Sequence, residues 1–322
     1  MRTFLRSEAG FSLAEMLVAT AILLIISSAV TSGLLQLTNS QRTISNRVDM
    51  HAGIRSATEL LQQEVGQAGR IAIPGTATLG GTIAAAGAAT VGITQTVNGV
   101  ASPSVAGLFP GELLDIDAGT ANQETVAITV VNTASNQITA IFANPHLNLN
   151  TPVNIYGGFA TGIVPPQPGY ANGSTGSVLK LYGDINGDGN MVYIEYTCDP
   201  LPGGTGNFYR NVVAYDAGAK PAVTASLALL TNIQTNPGGT ACFTYMPNPL
   251  PVVSGNTFVL DVAVTLTVQT QSVDPITKQY QTETKALLNV SPRNVFDVWQ
   301  FANASITTRV QPIPPSVTAL LP

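Results

Sequence analysis

Twelve residues, Asp184 to Glu195, hold the densest set of oxygen donors in this chain. The run Asp184-Ile-Asn186-Gly-Asp188-Gly189-Asn190-Met-Val-Tyr-Ile-Glu195 fits D-x-[DN]-x-[DN]-G-x5-E at each fixed position. Calcium takes roughly six to eight oxygens. Asp184, Asn186, Asp188 and Asn190 could aim donors inward, Gly189 permits the sharp turn, and Glu195 could close the shell. The flanks SVLKLYG and MVYIEY read as strands, so the second reading is a hairpin turn, for which Asn-Gly and Asp-Gly are strong signals. A strand-held Glu195 would leave the shell to water or another loop. Calcium is the one cofactor the sequence suggests; none is required. Glu112, Asp115, Asp117, Glu124 and His146 have no ligand spacing and read as solvated strand and turn residues. Cys198 and Cys242 are the only cysteines, and an even pair in an exported chain favours a disulfide over two buried thiols. P-loop, HExxH, GxSxG and CxxC patterns are missing, and the two histidines stand far apart. No catalytic constellation follows, and the chain reads as a non-enzyme.

The elements that must position these residues come from composition and pattern. Of 322 residues only 10% are charged, against roughly 25% in an average domain, and mean hydropathy is +0.25. That excludes intrinsic disorder. With 13 basic and 18 acidic residues the net charge is −5, which leaves no strong nucleic-acid signal. From Met16 to Gln41 there is no charge at all. As a helix this stretch reaches roughly 39 Å at about 1.5 Å per residue, enough for a hydrocarbon core of about 30 Å. Beyond it Ile44, Val48, His51, Ile54, Ala57, Leu61, Val65 and Ala68 recur at helical spacing, and Gly66, Gly69 and Pro74 mark a stop.

Before the apolar run stands a leader with Arg2 and Arg6, ending in Gly10; Phe11-Ser12-Leu13-Ala14-Glu15 follows. A secretory signal has its small-residue cleavage site after the apolar run, not before it. This arrangement resembles the type IV prepilins and the type II secretion pseudopilins, whose basic leader ends in Gly before Phe, with Glu just inside an apolar helix. The resemblance implies cleavage between Gly10 and Phe11 by a prepilin peptidase and N-methylation of Phe11 by the same enzyme. It also implies a role for Glu15 in assembly, pairing with the N-terminus of a neighbouring subunit. A carboxylate inside an apolar helix is costly enough to suggest function in any case; the plainer reading is an interfacial Glu reaching the headgroups. Many major pilins carry a Pro about twenty residues into the mature helix; here that neighbourhood is Ser32-Gly33.

The expected fold class is α+β: a long N-terminal helix, half membrane-spanning and half amphipathic, packed on antiparallel sheet, with an inserted small β-module. The expected divisions are a leader at 1–10, helix at 11–70 (membrane-spanning about 14–37), a β-rich insertion at 71–162, a C-terminal β-domain at 163–310, and an extended, mobile Pro-rich tail at 311–322. For residues 71–105 alternating strands and a loose Gly/Ala/Thr surface both fit. Tyr193-x-x-Tyr196, Tyr209-Arg210, a hairpin around Asp274-Pro275 and Pro292-Arg293-Asn294 are in an order similar to larger minor pilins and the J-type pseudopilin. The resemblance implies a minor pilin that joins or primes a type IV pilus serving adhesion or motility. The alternatives are a pseudopilin at the tip of a type II protein-secretion system and a signal-anchored periplasmic binding protein or enzyme. The implied partners are the prepilin peptidase, other pilins or pseudopilins, an inner-membrane assembly platform and the membrane. The chain would be a single-pass inner-membrane protein with a periplasmic C-terminal domain before assembly, and part of a pilus or pseudopilus after it.

Overall fold

A computed structural model describes residues 10–201 and 203–322. Helix α1 (Leu13–Gln67) opens the fold. There follow β1 (Thr76–Leu79), β2 (Gly87–Val97), β3 (Val100–Pro103), β4 (Leu113–Ile116), β5 (Glu124–Asn132), β6 (Gln137–Phe142), β7 (Pro152–Asn154) and β8 (Gly158–Phe159). The next group is β9 (Val178–Gly183), β10 (Val192–Asp199), β11 (Gly206–Ala214), β12 (Ala228–Gln234) and β13 (Phe243–Met246). Short β14 (Val252–Val253) and β15 (Asn256–Thr257) lead to the long pair β16 (Asp261–Gln269) and β17 (Thr282–Val290). The chain ends with α2 (Arg293–Asn303), β18 (Val310–Gln311) and α3 (Pro315–Leu320). This is the expected α+β arrangement, a long apolar N-terminal helix followed by mainly antiparallel sheet. By its contacts the chain divides into two units, one up to Ala52 with Thr270–Thr282, the other Gly53–Gln269 with Glu283–Pro322.

In the first unit, α1 is exposed over its apolar run, with Leu13 at 83% and Ile25 at 70%. The helix is long and apolar enough to cross a membrane. The loop Thr270–Thr282 joining β16 to β17 meets the helix one turn beyond that run. Thr43 Oγ1 donates to Asp274 Oδ1 (3.1 Å), and Arg47 donates to Gln281. Asp274 also accepts the N–H groups of Ile276 (2.7 Å) and Thr277 (3.1 Å). Ile44 and Val48, expected on a packed stripe, stay exposed, because the loop reaches this level through polar groups.

In the second unit the stripe is packed: Ile54, Ala57, Leu61, Val65 and Ala68 are all buried. The helix stops at Gly69, whose φ of +83° favours glycine, and where a Cβ would meet Val295 Cγ2 at 2.8 Å. Asn294 Nδ2 donates to the Gln67 carbonyl (3.0 Å), capping the last turn from α2.

Residues 76–154 form a closed barrel. Its ring runs β1–β7–β4–β5–β6–β2 and returns to β1, with β3 folded against the end of β2. Alternation places Ile93, Leu114, Ile116, Val126, Ile128, Ile138 and Phe142 inside. Of the two readings open for residues 71–105, the strands are the one observed. The second sheet runs β9–β10–β11–β12–β16 with β13 and β17 also on β16. Cys198 on β10 and Cys242 before β13 are joined by a disulfide, with Cα atoms 6.4 Å apart.

The tail differs from the expected extended, mobile segment. Val310–Gln311 pairs in parallel with Gly158–Phe159, and α3 follows. Val317, Leu320 and Leu321 pack in the cluster that holds Phe159 and Tyr182. The prolines set the path of this segment, but its three aliphatics are spaced to form one apolar side, and burying them holds it down.

Candidate functional site

The start of α1 carries the residues with a processing role to argue. Gly10 and Phe11 precede the first helical residue, and both are exposed. Arg2 and Arg6, with the rest of residues 1–9, lie outside the described residues. Ser12 and Glu15 form a reciprocal pair: the Glu15 N–H donates to Ser12 Oγ (3.1 Å) and the Ser12 N–H to Glu15 Oε2 (3.0 Å). This is a capping box, which satisfies two orphan amides of the first turn. The sequence readings of Glu15 were an assembly charge and an interfacial side chain, and neither used the Ser-x-x-Glu spacing that was there to be read. The box fixes the carboxylate at the mouth of the helix, within the first turn after the Gly10–Phe11 bond.

The Asp184–Glu195 segment joins β9 to β10. Asp184 is fully buried and lies 3.4 Å from Arg70 Nε, so a guanidinium already balances it. Asp184 Oδ1 accepts the Asp188 N–H (3.1 Å), and Asp188 Oδ1 accepts the Asn190 N–H (2.9 Å). Asn186 lines an open cavity of about 1010 Å³ together with Arg70 and Gly187. Glu195 is not brought to the loop. It sits on β10, opposite Lys180 and Asn211, and receives the Lys220 ammonium (2.8 Å) and the Tyr193 hydroxyl (2.9 Å). The loop therefore works as a strand-to-strand turn whose acids hold its own backbone.

The acids expected to be solvated are instead interior. His146 is buried between two carboxylates, Nε2 at 2.9 Å from Glu124 and Nδ1 at 3.6 Å from Asp117. Glu124 also accepts the N–H groups of Ala143 and Asn144. Both carboxylate oxygens of Asp115 accept from Gln123 Nε2, at 3.1 and 3.0 Å. Glu112 is fully buried with only the Phe109 N–H (3.1 Å) on one oxygen, and burial pushes its carboxyl up to about 8. Among the described residues no group of three or more His, Cys, Asp or Glu side chains is arranged to hold a metal.

Glu64 gives the second half of α1 a polar anchor that sequence reasoning missed. It is buried, receives Arg210 Nε at 3.1 Å on both oxygens, and takes the Tyr196 hydroxyl as well. Burial and then the Glu64 charge hold the Tyr196 hydroxyl protonated far above its usual range. Nothing next to Glu64 in sequence marks it as buried, and only pairing with a sheet cation makes its burial tolerable.

Comparison with known families gives one match. Residues 5–31 fit the prokaryotic N-terminal methylation motif, the signal motif of type IV pilins and pseudopilins. The matched stretch takes in Gly10, Phe11, the Ser12–Glu15 capping box and the first half of the apolar run. No curated protein and no solved structure matches the chain.

Proposed function

We propose that the chain is a minor-pilin-like structural subunit. Prepilin peptidase cuts it between Gly10 and Phe11 and methylates Phe11, and the product is stored in the membrane by α1. It then joins or primes a type IV pilus. The observation that carries this reading is the methylation motif at the mouth of a helix whose apolar surface stays uncovered for the whole run from Leu13 to Leu37. Such a surface is stable only in lipid or among other apolar helices. Arg2 and Arg6 bias the leader to the cytoplasmic side and the sheets to the periplasm. Glu15, held at the first turn by Ser12, is placed to meet the amino group that cleavage creates at Phe11 in an adjoining subunit. The role is one of assembly.

The test separates processing from assembly. Glu15→Ala expressed with prepilin peptidase is cut normally but is depleted from sheared filaments by about tenfold or more, which is what loss of a charge pair in a low-dielectric core would give. Normal incorporation of this variant would remove Glu15 from the assembly step.

A further inference from the structure

The barrel is built without surface charge. Between Ile71 and Leu179 there is no Lys or Arg, and the only Asp, Glu and His residues are Glu112, Asp115, Asp117, Glu124 and His146. Glu112, Asp115, Asp117 and His146 are each at most 6% exposed, and the Glu124 side chain is 9% exposed. A solvated surface of this size ordinarily carries a quarter or so of charged residues. Arg309 comes within 4.0 Å of Asp115 on β4 and stacks over the Tyr156 ring just after β7.

The opposite side, β5–β6–β2, is a continuous face of hydroxyls and aliphatics. Ala88 on β2 pairs with Ile141 on β6, and Thr90 with Thr139. The Thr90 and Thr139 hydroxyls meet at 2.8 Å, and Thr129 Oγ1 donates to the Thr139 carbonyl (2.8 Å). Ile141 is 66% exposed and Val130 is 53% exposed, in mid-strand, with none of the charges that usually guard such positions.

We propose that this face docks on the same face of a second copy of the chain. A charged partner would have its charges desolvated against a surface offering no counter-charge, which is costly. The occupant is therefore neutral where it touches. A neutral glycan would need aromatic rings to stack its sugars, and the three strands present none outward. A second copy meets each requirement: it adds no like-charge repulsion, it covers Ile141 and Val130, and its hydroxyls both donate and accept. A patch of that kind is self-complementary under a two-fold axis. The contact lies on the β-module and is independent of the helix–helix association expected of α1.

The experiment uses the full chain in its membrane. The cysteines are paired, so Thr139→Cys introduces a single free thiol with little change in volume, and Ser226→Cys, exposed in the turn between β11 and β12, is the control. A short bismaleimide is expected to give about tenfold more cross-linked dimer from Thr139→Cys than from Ser226→Cys. Adding Ile141→Lys, which sets like charges face to face, returns it to the control level. Raising the salt leaves the Thr139→Cys dimer unchanged, since no ion pairs contribute. Equal cross-linking of the two thiols would overturn the proposal. So would retention of the chain on a dextran resin in an Ile141-dependent way, which would assign the face to a glycan.

Discussion

Glu112 keeps its proton near neutrality because no cation and only one amide faces it, and this has a definite thermodynamic sign. Its folded carboxyl titrates at about 8, above the 4.5 of an unburied one, so the unfolded chain ionises first. Stability is unaffected by this group below about pH 4.5 and falls as pH rises from there towards 8, by about 3 kcal/mol at pH 7. Thermal unfolding of the full chain across that range is expected to show the loss, and Glu112→Gln to flatten the slope whatever its effect on absolute stability. An unchanged slope would assign the pH dependence to another group. Glu64 has the opposite character, since its charge is matched. Glu64→Ala leaves Arg210 and Tyr196 without their acceptor and is expected to cost about 3 kcal/mol in denaturant unfolding. The sequence singles out Gly10, Phe11 and Glu15 as candidates because leader, small residue and carboxylate stand at fixed offsets. Glu64 and Glu112 gave no such signal, because a lone acid in an amphipathic pattern looks the same whether it faces water or a guanidinium folded in from far along the chain.

The loop between β16 and β17 shows what elements add. Burial alone would raise the Asp274 carboxyl, but the Ile276 and Thr277 amides, the Thr43 hydroxyl and the Arg47 charge outweigh it and hold the group below its usual range. A lowered carboxyl contributes stability that is present above its unfolded value and is lost as pH falls through the folded one. Protection of the Ile276 and Thr277 amides, relative to their intrinsic exchange rates, is therefore expected to fall on acidification below about pH 4. In Asp274→Asn it is expected to be low already at neutral pH. Protection that ignores both changes would show that the loop is held by other contacts. The strand pair around Asp274-Pro275 was readable from two alternating runs and a turn dipeptide. The grip on Thr43 and Arg47 was not, since it joins residues more than two hundred positions apart. The Cys198–Cys242 bridge, closing a separation of 44 residues, is expected to contribute about 3–4 kcal/mol. Intact mass should rise by two protons on reduction; no change would mean free thiols.

At the scale of the whole molecule, the scarcity of charge has two sources. One is the uncharged run of α1, which is long and apolar enough to cross a membrane. The other is the barrel, which turns its few acids inward and presents threonines. Composition alone showed the scarcity and could not place it, because burial of Glu112, Asp115, Asp117 and His146 depends on ring closure among six strands. The tail was misjudged for a related reason: its prolines are local and visible, while the surface that receives Val317 and Leu320 is assembled from distant strands. What remains central is the claim that α1 is a processed assembly segment rather than a permanent anchor. Mass spectrometry of the mature N-terminus, from a host with prepilin peptidase, tests it most directly. The account predicts a chain beginning at Phe11 and carrying one methyl on its amino group. A chain that still begins at Met1, or one cut after the apolar run, would contradict it.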